Sequence, residues 1–375
     1  MARRSNGAPP GAAGSIAPGV TPVNLICETL MSFTRHAEIW FPGYVQSRIQ
    51  RYLHPTPRPE RLWFTIADHF EPFWHHVTEE VALERVALWR SKWPEISSRN
   101  IDSIGRPAQY SFFYPEEEYR PRLIDLLAEM VRSGAGDVEI HLHHDRDTQA
   151  GFLERMQRFI DRLANDHGLL HRVGGRPVFA FIHGNWALDN SRSDGRWCGL
   201  NNEITLLRDL GCYADFTMPS GDESTQVHQV NSIYWAIDDP LRPKSHDRGP
   251  LVKAGRWDPG DLLMIPGPLG LRWPPGRWLP KVGASELNDR DPATAHRAQR
   301  WLDLAPRVGA DIFLKLHTHG LQDRTSAALL GGGLDNTFRL LKDECRLREI
   351  ELRYATPWEM RQAVERAARQ FPQHG

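Results

Sequence analysis

The strongest structural signal in the chain is the stretch Val-Glu-Ile-His-Leu-His-His-Asp-Arg-Asp, which occupies residues 138–147. Its first six residues alternate apolar and polar side chains, which is the period-2 pattern of a β-strand. On a strand this alternation places His141 and His143 on one face, whereas His144 begins the loop that leaves the strand. Neighbouring imidazoles at the end of a strand are typical ligands of a divalent metal ion. The stretch therefore predicts both a strand and a metal site at its carboxyl end.

Strands and helices alternate along most of the chain. Runs of apolar and β-branched residues predict strands, and apolar residues at helical spacing predict helices between them. The predicted strands cover residues 62–67, 108–114, 138–143, 177–182, 213–217, 312–316 and 351–356. The predicted helices cover residues 44–53, 78–93, 121–133, 148–167, 202–210, 293–307, 335–348 and 357–368. At least six strand–helix units in succession indicate a parallel sheet or an α/β barrel.

Polar side chains collect where the predicted strands end. The groups are Asp68 with His69, His143 with His144 and Asp145, His183 with Asn185, then Asp215, and His317 with His319. In parallel α/β folds, ligands bind at the carboxyl edge of the sheet, so we expect these groups to converge there. Four residues at these ends are expected to contact the substrate: His183, Asn185, Trp186 and Asp215.

The composition is that of a globular protein with balanced charge. Of 375 residues, 40% are hydrophobic, and 46 basic residues stand against 47 acidic ones. A nucleic-acid-binding surface or a polybasic membrane surface requires an excess of basic residues, so both are disfavoured. No apolar run reaches the roughly 18 residues needed to span a bilayer. The four cysteines are scattered without a Cys-x-x-Cys motif, which favours reduced thiols and a cytoplasmic location.

Composition also divides the chain into segments. Residues 1–24 are rich in Ala, Gly and Pro and are predicted to be disordered, without the apolar stretch of a signal peptide. Residues 25–60 are predicted to form a helical lead-in to one domain at residues 61–368. Within it, residues 218–292 carry many Pro, Gly and Trp residues, and we expect a long insertion that shapes the substrate cleft. Its stretch 231–235, Asn-Ser-Ile-Tyr-Trp, is expected to offer an aromatic platform. The sequence defines no oligomeric state.

These segments, in this order, resemble the NodB-homology polysaccharide deacetylases of the wider glycoside hydrolase/deacetylase superfamily. The likeness covers roughly residues 61–361. The stretch 65–69, Thr-Ile-Ala-Asp-His, lies where the family has Thr-Phe-Asp-Asp. The stretch 139–143, Glu-Ile-His-Leu-His, is similar to the family's Glu-Ile-Gly-Asn-His. The family's Ala-Thr-Phe-Phe strand, its Arg-x-Pro-Tyr-Gly motif and the strand that ends in its catalytic histidine have counterparts at residues 107–113, 176–184 and 312–317.

Two departures from that pattern leave the ligand set open. The family's paired aspartates are replaced by Asp68 and His69, and the second histidine of its His-x-x-x-His motif falls on Asp147. The first motif, Ala-Asp-His-Phe, also resembles that of the YdjC-like carbohydrate deacetylases. The YdjC-like alignment implies that His69 and His141 are ligands, whereas the NodB alignment favours His143.

The resemblance implies a distorted (β/α)7-8 barrel with a long insertion and a metal-dependent deacetylase of N-acetylated or O-acetylated sugars. Hydrolysis of an acetamide needs an activated water and a charge that holds the developing oxyanion, and a divalent ion supplies both. Asp68 is the expected base and also a ligand, and His317 is the expected acid, with His319 as its substitute. The other expected ligands are His69, His141, His143, His144 and Asp147, with Asp145 as a further candidate. Zinc is the expected ion, and manganese, iron and cobalt are the alternatives.

Two other function classes fit the same residues. Glycoside hydrolysis would need two carboxylates about 5–9.5 Å apart, which Asp68 could supply together with Asp215 or Glu71. A catalytically inactive carbohydrate-binding protein is the other alternative, because the family's paired aspartates are altered. The number of histidines at the strand ends favours the metal-dependent hydrolase.

Overall fold

The computed structural model describes residues 36–53, 57–221, 223–276 and 278–370. The predicted disordered segment, residues 1–24, and the first part of the predicted helical lead-in lie outside the described residues. The described remainder of that lead-in contains a long helix. In the part of the chain that the structure describes, no helix is both long and apolar enough to cross a membrane.

Helices separate most of the strands, as predicted. The α-helices are α1 (Ala37–Leu53), α2 (Glu79–Arg99), α3 (Pro121–Arg132), α4 (Gln149–Asp161), α5 (Glu203–Leu210), α6 (Ala295–Leu304), α7 (Asp323–Ala328), α8 (Leu334–Arg348) and α9 (Pro357–Arg369). Helices α4, α6 and α9 begin after a threonine whose hydroxyl accepts a hydrogen bond from the backbone N–H three residues later. This bond satisfies a donor that the first turn leaves unpaired, and it therefore fixes where each helix starts.

The strands are short and regular. They are β1 (Arg61–His69), β2 (Tyr110–Pro115), β3 (Gly136–Leu142), β4 (His171–Val173), β5 (Arg176–His183), β6 (Cys212–Asp215), β7 (Tyr234–Ala236), β8 (Leu262–Met264), β9 (Leu269–Arg272), β10 (Lys281–Ala284), β11 (Glu286–Leu287), β12 (Arg307–Val308), β13 (Asp311–Thr318) and β14 (Glu351–Tyr354). Twelve of the described strands form one sheet, and β9 and β10 form a separate antiparallel pair.

The centre of the sheet is parallel. Its strand order is β11-β13-β1-β2-β3-β5-β6-β8-β7, and only the last pair, β8 with β7, is antiparallel along this path. The predicted mixed α/β architecture with a mostly parallel sheet is therefore confirmed. The two end strands, β11 and β7, do not pair with each other among the described strands, so the predicted closure into a barrel is not shown.

Side chains of the long strands alternate between two buried faces, and this alternation decides where a functional residue points. On one side, which we call the outer face, Phe64 and Leu314 pack against residues of α2, α3 and α8. On the other side, the inner face, Ala67 and Phe313 pack with residues of α9. Neighbouring residues at the end of a strand therefore serve opposite faces of the sheet.

The predicted insertion, residues 218–292, contributes to the sheet. Strands β7 and β8 extend the sheet at one end. Tyr234 is completely buried and Trp235 is 8% exposed, and the Tyr234 hydroxyl donates a hydrogen bond to the carbonyl of His246. The prediction of an aromatic platform at residues 231–235 is therefore wrong, because pairing of β7 with β8 buries these rings in the core.

Two carboxyl groups are buried in β3. Burial raises the pKa of Asp137 to about 7, and it raises the pKa of Glu139 as well. The pKa of such a carboxyl group is higher in the folded protein than in the unfolded protein, so the folded protein keeps the proton to a higher pH. The contribution of the group to stability is therefore lost as pH rises from about 4 towards 7. From about pH 5 to pH 8 the free energy of unfolding should fall in the wild type. We expect this fall to be about 1–4 kcal/mol smaller in Asp137→Asn. Urea unfolding at both pH values measures this, and an equal loss in the two proteins would contradict it.

Candidate metal centre

Five histidines converge at the carboxyl end of the inner face. They come from the ends of three strands: His69 from β1, His141 and His143 from β3, and His317 and His319 from β13. The ring centroid of His69 lies 4.9 Å from that of His141 and 4.6 Å from that of His319. It lies 6.1 Å from that of His317, and the rings of His141 and His143 are 4.5 Å apart. The structure thus brings together five of the seven strand-end histidines that the sequence singled out.

A carboxylate lies among these rings. Glu71 follows β1 and is 6% exposed, and its Oε1 lies 3.3 Å from His141 Nε2 and 3.6 Å from His143 Nε2. Ligand atoms of Glu71, His69 and His319 all lie within 4.8 Å of one another. The same holds for Glu71, His141 and His143, so both triads could hold a metal ion. We call the five histidines together with Glu71 the inner cluster.

Hydrogen bonds from outside the cluster fix the direction of two rings. The Nδ1 of His141 lies 2.8 Å from the carbonyl oxygen of Ile182. The Nδ1 of His143 lies 2.5 Å from Oε1 of Glu117. A neutral ring that donates from Nδ1 keeps a lone pair on Nε2, and metal-binding histidines are typically oriented by such a bond to a carbonyl or a carboxylate. Both rings therefore direct Nε2 towards Glu71.

His69 gives an independent indication of a bound ion. Its Nε2 is buried and has no hydrogen-bond partner among the described residues. An unpaired buried polar atom costs roughly 1–3 kcal/mol, and a cation bound to Nε2 would remove that penalty. Burial lowers the pKa of His69 well below its usual value, and charge on His319 and His141 lowers it further. The ring is therefore neutral near neutral pH, and its lone pair remains available.

The pKa values of the other titratable groups of the cluster shift in different directions. Burial lowers the pKa of both histidines at the end of β13. Burial would also lower the pKa of His143, but its hydrogen bond to Glu117 raises the pKa above its usual value. Burial would raise the pKa of Glu71, but its hydrogen bond with His141 and the nearby imidazoles lower it. Near neutral pH the imidazoles of His69, His317 and His319 are therefore neutral. The carboxylate of Glu71 is ionised, and the imidazole of His143 readily takes up a proton.

Asp68, the residue predicted to be base and ligand, points away from the inner cluster. It precedes His69 in β1, so its side chain lies on the outer face. Its Oδ1 accepts a hydrogen bond from the Gly320 backbone N–H at 2.7 Å, and its Oδ2 accepts one from the Tyr110 hydroxyl at 2.8 Å. Burial raises the pKa of Asp68 to about 8. The sequence predicts Asp68 at the metal centre together with His69. Neighbouring residues of a strand point to opposite faces, however, so the two side chains lie apart.

Gly320 lies so close to Asp68 that position 320 has no space for a side chain. A Cβ on Gly320 would lie 2.2 Å from Oδ2 of Asp68 and 2.9 Å from Cζ2 of Trp89. Overpacking of a closed interior costs about 1–3 kcal/mol, so we expect Gly320→Ala to lower the free energy of unfolding by at least that amount. Gly331→Ala is the matched control, since a Cβ there meets no atom within 4 Å. Equal unfolding midpoints of the two variants in urea would argue against this packing.

A second group of ligand-type residues lies on the outer face. Its four members are buried, and their ligand atoms lie within 4.8 Å of one another: His144, His183, Cys198 and Glu203. We call these four residues the outer cluster, and it too could hold a metal ion. His183, a predicted substrate contact, is completely buried here and does not face the inner cluster. Asp147, a predicted ligand, lies 3.2 Å from the Nδ1 of His144, on the far side of that ring.

Two members of the outer cluster were not predicted from the sequence. Cys198 has no second cysteine at metal-site spacing, and Glu203 stands in the first turn of α5, where acidic residues are common. Asp145, a further ligand candidate, accepts a hydrogen bond from the backbone N–H of Trp197 at 2.6 Å. It therefore holds the loop before α5, and it belongs to neither cluster.

An open cleft of about 790 Å³ adjoins the inner cluster. Glu71 and His143 lie in its wall, which connects the cluster with the surface. The other lining residues come from the segments that follow β1 and β2: Phe73, Trp74, His75, His76, Val77, Glu117, Glu118 and Arg120. No described residue of the segment 218–292 lines this cleft, so the expected role of the insertion in shaping the substrate cleft stays a prediction.

The remaining predicted substrate contacts lie in three different settings. Trp186 packs beside the inner cluster, with its ring centroid 5.9 Å from that of His69. Asn185 precedes it and has a left-handed backbone conformation with φ of 53°. Asp215 is buried, and its carboxylate accepts hydrogen bonds from the N–H and the hydroxyl of Thr217 at 2.9 and 2.7 Å. Of these three residues, Trp186 is the one in contact with the candidate centre.

Comparison with known proteins does not assign the chain to a family. No family model matches it, and a search of curated proteins finds no match.

Proposed function

We propose that this protein is a metal-dependent hydrolase that removes acetyl groups from N-acetylated or O-acetylated sugars. One observation carries the proposal: imidazoles surround an ionised carboxylate, Glu71, in the wall of an open cleft. Hydrolysis of an amide or ester needs a positive charge near the carbonyl oxygen, a base for the attacking water and an acid for the leaving group. The inner cluster contains residue types suited to each of these tasks.

The proposed ligands are His69, His141 and His319. His69 and His319 are neutral near neutral pH, and His141 directs its Nε2 into the cluster because its Nδ1 faces a backbone carbonyl. Three imidazoles with one open position are a common donor set of catalytic zinc. A divalent ion bound there would lower the pKa of water and polarise the acetyl carbonyl. Zinc is the proposed ion, and manganese, iron and cobalt are alternatives with the same donors.

Glu71 is the proposed base and His143 the proposed acid. The carboxylate of Glu71 is ionised and lies in the cleft wall, where it can accept a proton from an attacking water. The hydrogen bond to Glu117 raises the pKa of His143, so its Nε2 can hold a proton for the leaving group in the same cleft. Both oxygens of Asp68 are already bonded within the protein, and burial lowers the pKa of His317. Glu71 and His143 are therefore better placed than the two residues that the sequence favoured.

A sugar is the proposed substrate because both aromatic and polar side chains line the cleft. Phe73 and Trp74 lie in its wall, and Trp186 packs beside His69. Aromatic rings of this kind offer flat apolar surface with little conformational entropy to lose, which suits the apolar face of a sugar ring. The resemblance of residues 61–361 to the deacetylases supports the same substrate class. It also supports a distorted (β/α)7-8 barrel as the finer description of the sheet.

Elemental analysis of the purified full chain, followed by an acetate-release screen, tests this function. We expect a bound divalent metal, acetate release from at least one N-acetylated or O-acetylated sugar, and loss of release after treatment with a chelator. Addition of zinc should restore the activity. A metal-loaded protein that releases acetate from none of these sugars would refute the proposal. Sugar binding without turnover in that protein would indicate a carbohydrate-binding protein instead.

Glycoside hydrolysis is the second candidate, and Glu118 is the residue that favours it. Burial raises the pKa of Glu118 to about 7, whereas Glu71 is ionised, and both line the cleft. Two carboxyl groups with pKa values pushed apart form the acid and base pair of many glycosidases. Of the carboxyl groups considered from the sequence, Asp68 and Asp215 are engaged in internal hydrogen bonds, whereas Glu71 lines the cleft. Metal-independent cleavage of aryl glycosides that is lost in Glu118→Gln would favour this candidate over the deacetylase.

A further inference from the structure

The outer cluster gathers four donor atoms from separate segments of the chain. The Nε2 atoms of His144 and His183 lie 2.8 Å apart, and Oε1 of Glu203 lies 3.1 Å from the first and 3.4 Å from the second. The Sγ of Cys198 lies 3.3 Å from the other carboxylate oxygen of Glu203. A tetrahedral zinc ion with Zn–N distances of about 2.0–2.1 Å separates two nitrogen ligands by about 3.3 Å. The two rings would therefore need to separate by only about half an ångström to take up an ion.

The other ring nitrogens bond outwards. The Nδ1 of His144 lies 3.2 Å from Oδ2 of Asp147, and that carboxylate is paired in turn with Arg155. The Nδ1 of His183 lies 2.6 Å from the carbonyl oxygen of Gly184. Metal-binding histidines typically use one nitrogen for the ion and donate from the other to a carboxylate or a carbonyl. Both rings of the outer cluster therefore present Nε2 to the same point.

Two backbone N–H groups lie close to the sulfur of Cys198. Its Sγ accepts hydrogen bonds from the backbone N–H groups of Asn190 at 3.3 Å and Leu200 at 3.4 Å. The sulfur of a neutral thiol is a weak acceptor. Hydrogen bonds to sulfur are, by contrast, a common feature of metal-bound thiolates, whose charge they stabilise. A donor set with nitrogen, oxygen and sulfur is typical of zinc.

The outer cluster is closed and is distinct from the inner cluster. All four of its side chains are buried, and the ring of His144 packs on Phe152 of α4, with centroids 5.5 Å apart. The residue before His183, Ile182, packs in the inner-face core, so His183 itself points to the outer face. Catalytic zinc keeps an open position, whereas structural zinc has four protein ligands. The arrangement is therefore that of a structural site.

We propose that the outer cluster binds a structural zinc ion and that this ion fixes the loop of residues 184–202. The ligands are His144, His183, Cys198 and Glu203. Two of them stand directly before the loop and directly after it, and a third, Cys198, lies within it. An ion at this point would join both ends of the loop to β3 and β5. This role is independent of the hydrolase activity proposed above.

The loop needs such support because its backbone is strained. Five of its non-glycine residues have a positive φ: Asn185, Trp186, Asp189, Asn190 and Trp197. Such conformations persist where the surrounding structure holds them in place. The loop also carries Trp186, which packs beside His69. The structural ion would therefore hold one wall of the inner cluster without contacting the substrate.

Elemental analysis of full-length variants separates the two clusters. We expect about two equivalents of metal per chain in the wild type and about one in both His183→Ala and His69→Ala. Loss of a structural ion removes folding free energy, so the melting temperature should fall further in His183→Ala than in His69→Ala. If the inner cluster binds no metal, the wild type should hold about one equivalent, and of the two variants only His183→Ala should lose it. That result would still support the structural site. An unchanged metal content in soluble His183→Ala would overturn it.

Cobalt substitution keeps the proposal testable if His183→Ala does not fold. The cobalt-loaded wild type should show a thiolate-to-cobalt charge-transfer band in the near ultraviolet. We expect Cys198→Ser to lose the band and Cys345→Ser to keep it, because Cys345 is buried but belongs to neither cluster. Absence of the band in the wild type, or its persistence in Cys198→Ser, would overturn the assignment of the outer cluster.

Discussion

Replacing Glu71 by glutamine is expected to lower kcat for acetyl hydrolysis by about 10²–10⁴-fold, the range that a general base contributes. Glutamine keeps the size of the side chain but cannot take up a proton from the attacking water. Because His69, His141 and His319 remain, the metal content of the variant should match that of the wild type. Acetate release at saturating substrate and elemental analysis of the same sample measure both quantities. Loss of the metal would make Glu71 a ligand instead, and full activity would exclude it as the base.

Asp68→Asn is the comparison that separates the two carboxylates. Since burial raises the pKa of Asp68 to about 8, the side chain is mostly protonated near neutral pH, and asparagine has the shape of the neutral carboxyl. Its amide oxygen can still accept from the Gly320 N–H, and its NH₂ can bond to the Tyr110 hydroxyl. We therefore expect kcat to change by less than about tenfold. A loss as large as that of Glu71→Gln would return the role of base to Asp68.

Strand periodicity was sufficient to predict the parallel sheet and the meeting point of its histidines. The predicted strands 138–143 and 312–316 correspond to β3 and β13. The first shows the alternation of apolar and polar residues and the second is a mostly apolar run, so both patterns are clear in the sequence. Parallel strands also end at one edge, so residues after distant strands come together there. Closure of the sheet could not be predicted in the same way, because it depends on the pairing of short end strands.

Face assignment is the step that motif comparison alone does not supply. The motif comparison treated Asp68 and His69 as one unit, although the pleat of β1 sends them to opposite faces. His183 was assigned to the cleft as a strand-end histidine, although Ile182 occupies the inner face beside it. The same parity rule, applied residue by residue, separates Asp68 from His69 and Ile182 from His183.

Residues outside the strands carried no periodic signal that could place them. Glu71 lies in the turn after β1, and Cys198 and Glu203 lie in and after a long loop. Their positions depend on backbone conformations, such as the positive φ of Asp189 and Asn190, that spacing along the sequence does not reveal. The sequence therefore does not reveal the outer cluster as a unit, although it singles out His144, one of its members.

His69→Ala is expected to remove the metal of the inner cluster and to lower kcat/KM by more than about 100-fold. Loss of a hydrogen-bond partner of a metal ligand already costs about 10–100-fold in affinity or activity, so loss of a ligand should cost more. In the metal-free protein this substitution breaks no hydrogen bond at Nε2, which has no partner among the described residues. A chelator should therefore lower the melting temperature less in His69→Ala than in the wild type. His296→Ala, on α6 and outside both clusters, is the matched control and should behave as the wild type. A full metal content with normal turnover in His69→Ala would show that the centre is built from other residues.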